Sequence, residues 1–393
     1  MRTPVQEELI TLLRFELTGA PLPEDFRLSD PAALFRLARR FDLAHLVYDA
    51  LRRNGRESEA QPASADYFRA VWRVEQLSFE LKQLRSVLEE AEIPFLPLKG
   101  SVMRTQYPAP WMRTSSDIDL LVRPEDLERT SRLLEEHLSY HAGILYGQHQ
   151  GFSAPENGMH IEVHHTLWTK ANGLPDVFRV LERVWEEARP AEGCRAEHVL
   201  SPEMFTFYHL AHLSKHLRNG GCGPRPLLDL WLLERRGDRD PEKFRALLSE
   251  GGLETLYEAL RCVSESWMTG SSCAGWEETE QYILTGGLYG DLTRSDALGI
   301  EKRGSKLKLL SRKVFLPREQ LAALYPEIKD RAWLTPVAHM KRWGRLLKPS
   351  NLASTRRKTR SVLNSKKETA EEAVSQLERL GLWEPSGSPE AKE

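Results

Sequence analysis

Cysteine is scarce in this chain: four in 393 residues, Cys194, Cys222, Cys262 and Cys273, with no CxxC pair among them. That spacing suits neither a disulfide framework nor a zinc ribbon, and a reducing, cytoplasmic setting is the expectation. Long apolar runs are missing as well. No stretch approaches the roughly 20 uninterrupted apolar residues of a membrane span, so no transmembrane segment is expected. The opening residues carry Glu7, Glu8, Arg14 and Glu16 among their apolar positions, a pattern of an amphipathic helix and not of a secretion signal. Net charge is almost absent too, 55 Lys and Arg against 57 Asp and Glu. Taken as an average, that balance argues against a strongly electrostatic partner such as duplex DNA.

What is present is a soluble composition, 40% hydrophobic and 28% charged, in a chain too long for one ordinary core. Residues 1–92 form an N-terminal helical segment: Leu34, Leu37, Ala38 and Phe41, then Phe68, Val71, Trp72, Leu77, Leu81, Leu84 and Leu88, recur at helical steps. Residues 93–170 change in texture. Ile93 to Leu98 reads as a short strand ended by Gly100, and Asp117 to Val122 as a compact buried strand. A helix from Pro124 to about His137 follows, then strands at Ile144 to Phe152 and His160 to Trp168. Residues 171–347 return to helical spacing, and 348–393 read as a basic, polar tail, partly disordered, with one helix-compatible piece near Ala370 to Leu380.

The charge balance is a cancellation. Between Lys302 and Lys367 stand nineteen Lys or Arg against three acids, a surplus of sixteen positive charges, with Phe315, Leu316, Trp333, Trp343, Leu346 and Leu347 interleaved. Such a segment suits contact with RNA, DNA or an anionic membrane surface, or serves only to balance an acidic body.

The strongest chemical signal is Asp117-Ile118-Asp119-Leu120-Leu121-Val122. Alternate strand residues share a face, so both carboxylates point the same way. Paired acids on a largely buried strand are costly without a cation between them, and Mg²⁺ is the natural one. Two other segments support this reading. Leu98-Lys99-Gly100-Ser101 ends a strand with a glycine, which lets the backbone approach a phosphate, and a hydroxyl that can donate to it. In His160-Ile161-Glu162-Val163-His164, Glu162 alternates onto a polar face. If the segments share a sheet, Asp117, Asp119 and Glu162 form a three-carboxylate cradle for two metal ions beside a phosphate-holding turn, the equipment of two-metal phosphoryl or nucleotidyl transfer.

LKGSVMRTQYPAPWMRTSSDIDLLVRPEDL, followed by IEVHHTLW, spaced histidines and PLLDLW, resembles the bacterial family of uncharacterised nucleotidyltransferases, within the polymerase β-like superfamily. The resemblance covers about residues 90 to 235. It implies an α+β fold, a polymerase β-like palm with a small mixed sheet embedded in mostly helical N- and C-terminal segments. It implies that Gly100 and Ser101 hold the triphosphate of an NTP, that Asp117 and Asp119 ligate two Mg²⁺ or Mn²⁺ ions, and that Glu162 completes the catalytic-metal site and assists deprotonation of an acceptor hydroxyl. The gap from Ser101 to Asp117 is longer than in compact members and contains Pro108 and Pro110, a departure that bears on Ser101 more than on the acids.

Around this core the residues leave alternatives. Arg113 could reach a phosphate or brace the Asp pair, and Lys99 could touch the nucleotide or be solvated. His209, His212 and His216 lie on one helical face, suiting a metal site with Asp229, an acceptor or nucleotide contact, or plain core packing. His164 shares the face of Glu162, and Arg225 is expected to pair with Asp229 over the cleft. The function expected is transfer of an NMP, AMP by abundance of ATP, to a hydroxyl acceptor that is a small molecule, a protein or RNA, with release of pyrophosphate. A toxin-like nucleotidyltransferase acting on a protein or tRNA, or a non-catalytic nucleotide-binding protein docking through its basic segment, are the other readings.

Overall fold

Four helix starts share one device. Thr3, Asp30, Ser201 and Asp240 each accept a backbone amide of the first turn, and each is followed by proline, whose missing N–H costs nothing there. The computed structural model describes residues 2–154, 158–288, 290–328 and 331–383. It begins with α1 (Pro4–Thr18), α2 (Pro31–Arg40), α3 (Ala44–Arg53), α4 (Glu57–Ala60) and the long α5 (Ser64–Glu90). The strand-bearing unit comprises β1 (Phe95–Pro97), the single turn α6 (Gly100–Met103), β2 (Asp117–Val122), α7 (Leu127–Leu138), β3 (His141–Tyr146), β4 (His149–Ser153) and β5 (His160–His164). Next come α8 (Pro175–Glu182), the strand pair β6 (Ala188–Pro190) and β7 (His198–Leu200), α9 (Pro202–Arg218), α10 (Arg225–Arg235), α11 (Pro241–Gly251), α12 (Glu254–Thr269), α13 (Glu277–Leu284) and α14 (Leu292–Glu301). The basic region holds α15 (Lys306–Val314), α16 (Arg318–Leu324), α17 (Thr335–Leu346) and α18 (Pro349–Asn364), before α19 (Lys367–Arg379).

The main sheet has the order β1-β2-β5-β4-β3. Only β2 and β5 pair in parallel; the other neighbours are antiparallel. This is a small mixed sheet with helical flanks, the α+β palm architecture the motifs imply. One sheet face is apolar: Ile118, Leu120, Val122, Phe152, Ile161 and Val163 pack against Leu77, Leu81, Leu84 and Leu88 of α5 and Leu134 of α7. The stripe on α5 recurs every three or four residues because it covers a sheet. The alternation that buries these residues turns Asp117, Asp119, Glu162 and His164 to the other face.

Several details differ from the sequence reading. The strand expected over 144–152 is a hairpin, because Gly147, at φ 57°, turns the chain back between β3 and β4. The strand from His160 stops at His164. Cys262 of α12 and Cys273, eleven positions apart, form a disulfide, where no pairing was expected. The helical flanks are not separate bodies, since Leu9, Leu13 and Leu46 from the N-terminal segment share one core with Leu210, Leu228, Leu260 and Trp267. The region after 348 is helical through α18 and α19, and Leu377, Leu380 and Leu382 are buried in that same core. The last part of the expected tail, 384–393, lies outside the described residues. Among the described residues no helix is long and apolar enough to cross a membrane.

Candidate active site on the polar face of the sheet

The parallel register of β2 and β5 sets Asp119 directly across from Glu162. Asp117 stands two residues earlier, so the three acids singled out by spacing share one face of the sheet. The antiparallel register of β4 adds His149 opposite His164 and Gly151 opposite Glu162. His149 was not foreseen: its place depends on the hairpin turn at Gly147, and a one-residue slip would send it to the apolar face. His164 was expected beside Glu162 and is there, 1% exposed. Its Nε2 donates to Asp119 Oδ1 at 3.0 Å and lies 3.5 Å from Glu162 Oε2.

Lys99 is not solvated. Its side chain reaches under the sheet, and Nζ donates to Asp119 Oδ1 at 2.6 Å. Burial alone would lower its pKa, but the Asp119 carboxylate outweighs this and holds the ammonium above its ordinary range. Burial alone would likewise raise Asp119, yet Lys99 and His164 keep its carboxyl below the usual range. Asp117 gains less: burial and the Asp119 charge beside it outweigh the Lys99 ammonium and push its pKa up to about 6. Glu162 is held low by the His164 imidazole, which outweighs its burial. The Lys99 backbone has φ 43°, a left-handed conformation that non-glycine residues adopt at a cost of about 1–3 kcal/mol. The ion pair at the tip of its side chain and the Leu98 N–H to Asp119 carbonyl bond, 3.0 Å, pin this turn to β2.

The turn itself packs tightly. A side chain at Gly100 would bring its Cβ 3.0 Å from that of Ser115, so glycine lets the turn sit against the loop entering β2. Ser101 Oγ is buried and has no hydrogen-bond partner among the described residues. A buried hydroxyl without a partner is costly. The long Ser101–Asp117 connection thus leaves the turn next to the acids: Arg104 Nη2 donates to Ser115 Oγ, 3.0 Å, and Ser115 Oγ to the Asp117 carbonyl, 3.1 Å.

A family model described as uncharacterised nucleotidyltransferase matches residues 28–269, more than half of the chain. The chain belongs to this nucleotidyltransferase family. No curated protein and no solved structure matches it. Membership makes it an enzyme of nucleotidyl transfer that uses an NTP, with its acceptor open. The matched region spans the sheet, the acids and the α9 histidines, and stops before the basic segment.

In this nucleotidyltransferase the cations flanking the sheet are committed to structural partners. Arg113 hydrogen-bonds neither carboxylate of the Asp117–Asp119 pair: its guanidinium forks onto Asp229, Nε to Oδ1 at 2.8 Å and Nη2 to Oδ2 at 2.8 Å. Tyr107 donates to the same carboxylate at 2.7 Å. Arg225 does not pair with Asp229 as expected; Asp229 is taken, and Arg225 bonds Asp42 and the Thr114 carbonyl. These contacts tie the loop before β2 to α10 and to the turn before α3.

The three histidines of α9 line a cavity of about 100 Å³ with Lys99, Met103, Tyr208 and Cys222. They do not converge on a metal. His209 Nε2 bonds the Pro226 carbonyl at 2.9 Å, while His212 and His216 share a 2.9 Å Nε2 to Nε2 bond. Burial pushes all three pKa values down, that of His216 to about 4, so the rings are neutral at pH 7. Among the described residues the group whose ligand atoms stand within 4.8 Å of one another is His149, Glu162 and His164.

Proposed function

We propose that the enzyme transfers an NMP, AMP in the default case, from an NTP to a hydroxyl acceptor and releases pyrophosphate, with Asp117, Asp119 and Glu162 holding divalent cations of the Mg²⁺ or Mn²⁺ type. The observation that carries this reading is the register that sets Asp119 against Glu162, with Asp117 on the same face. The donor set fits such ions. Three carboxylates share one sheet face, and burial together with the Asp119 charge raises the pKa of Asp117 despite the Lys99 ammonium. Divalent cations bound there supply neutralisation of the triphosphate charge and a lowered pKa for the acceptor hydroxyl.

The chain's own residues do the rest. Gly100 lets the turn backbone approach a phosphate, and Ser101 Oγ donates its proton to a phosphate oxygen. Lys99 keeps Asp119 ionised and aimed. Glu162, ionised at neutral pH, accepts the hydroxyl proton of the acceptor as its oxygen attacks the α-phosphorus in line; the bond to the β-phosphate oxygen breaks and pyrophosphate leaves. The cavity under α9 lies on the acceptor side of Lys99, with His209, His212, His216 and Arg225 on its wall.

The test incubates purified protein with each α-labelled NTP, Mg²⁺ or Mn²⁺, and fractionated cell extract. Label enters one fraction with wild type and falls at least about a hundredfold with Asp119→Ala. Equal labelling, or none in any fraction with either protein, refutes the proposal.

A further inference from the structure

His149 stands at the edge of the acid cluster with no part in the scheme above. Its Nε2 is 3.7 Å from Glu162 Oε1, and His164 Nε2 is 3.5 Å from Glu162 Oε2. Both gaps are too long for good hydrogen bonds. They lie close to another geometry, 3.5 Å within it and 3.7 Å just beyond it. Two ligand atoms that each sit about 2.1 Å from a shared ion stand about 3 to 3.5 Å apart, and the donor atoms of His149, Glu162 and His164 all lie within 4.8 Å of one another.

Two further features fit an ion among these groups. Gly151 faces Glu162 across the β4–β5 ladder, and a Cβ added there would meet nothing within 4 Å, so open space adjoins the carboxylate. The donors come from paired strands, which hold ligands more rigidly than loops do.

We propose that His149 and His164 give the metal site of this enzyme two nitrogen donors beside Glu162, so that it selects an imidazole-binding divalent ion such as Mn²⁺ over Mg²⁺. This rests on the metal-dependent reading above and names the ion. The chemistry follows from donor type: Mg²⁺ prefers oxygen and retains its waters, whereas first-row transition ions accept imidazole, Mn²⁺ the most weakly of them. His164 Nε2 would then face the ion in place of Asp119, which would keep its bond to Lys99.

Mn²⁺ binding is read directly from the loss of the free-ion electron paramagnetic resonance signal as full-length protein is titrated, with Mg²⁺ as competitor and no nucleotide present. Wild type binds Mn²⁺ tightly enough that Mg²⁺ in large excess is needed to displace it. His149→Ala weakens Mn²⁺ by about tenfold or more while changing Mg²⁺ by less than about twofold. His149→Gln, which restores an oxygen donor, shifts the ratio toward Mg²⁺. Melting curves in chelator show whether each variant is folded. Mn²⁺ bound with an unchanged Mn²⁺ to Mg²⁺ ratio in both variants overturns the role of His149 and leaves nucleotidyl transfer standing. Failure of wild type to bind either ion overturns the metal-dependent reading as well.

Discussion

Asp117 and Asp119 share one strand and one face, yet only Asp119 accepts a hydrogen bond from Lys99. Lys99 and His164 both touch it, while among the described residues no side chain hydrogen-bonds the Asp117 carboxylate. With a folded pKa near 6 against an ordinary 3.8, Asp117 makes the native protein bind more protons than the unfolded chain between those values. Stability therefore falls as pH rises through that window, and above about 6 the ionised group exerts its full cost. Asp117→Asn removes the cost, so in chelator the variant gains on the order of 1 kcal/mol at pH 8 and essentially nothing at pH 3.5, read from melting curves. An equal gain at both pH values would contradict the account. The acids were legible in the sequence because strand alternation is local: Asp117, Asp119 and Glu162 needed only the period of two. Lys99 was not, since its exposure depends on how the turn folds back under β2. His149 was not either, because only the register of β4 on β5 brings it to Glu162.

At the scale of elements, the palm and the helical flank are joined by one buried carboxylate. Asp229 of α10 is 1% exposed and holds both Arg113 and Tyr107 from the connection before β2. Removing one partner of such a pair leaves the other charge buried alone, at a cost of about 3–5 kcal/mol. Asp229→Ala is expected to lower stability by that amount in denaturant titration, whereas Asp42→Ala, whose partner Arg225 keeps the Thr114 carbonyl, costs less. A loss below about 1 kcal/mol for Asp229→Ala would show that the lock is not structural. The existence and type of the main elements could be read from periodicity, as α5 and β2 show. The partners of Arg113 and Arg225 could not, because each lies more than a hundred residues away and two nearby acids and two nearby arginines allow either pairing.

For the whole molecule, the near-zero net charge conceals a divided surface. The surplus of sixteen positive charges between 302 and 367 falls on α15 to α18, where Phe315, Trp333 and Leu347 are exposed. This region lies beyond the family match, and α16 rests against β3 at the edge of the catalytic sheet. A polyanionic acceptor docked there would lie alongside the sheet. The prediction is RNA binding that weakens as salt rises, with a slope reduced by about two to three on reversing Arg356, Arg357 and Lys358 to Glu. Salt-insensitive binding, or a slope unchanged by the reversal, leaves charge balance as the segment's role.

The central claim is that the α-phosphoryl group moves with its nucleoside. It is tested most directly by parallel reactions of wild-type enzyme with NTP labelled at the α-phosphate or the γ-phosphate, Mn²⁺ and the acceptor-bearing fraction. The account predicts that α-label joins the acceptor while γ-label leaves entirely as pyrophosphate. Transfer of γ-label to the acceptor, or its release as free phosphate with no α-label transferred, would contradict it.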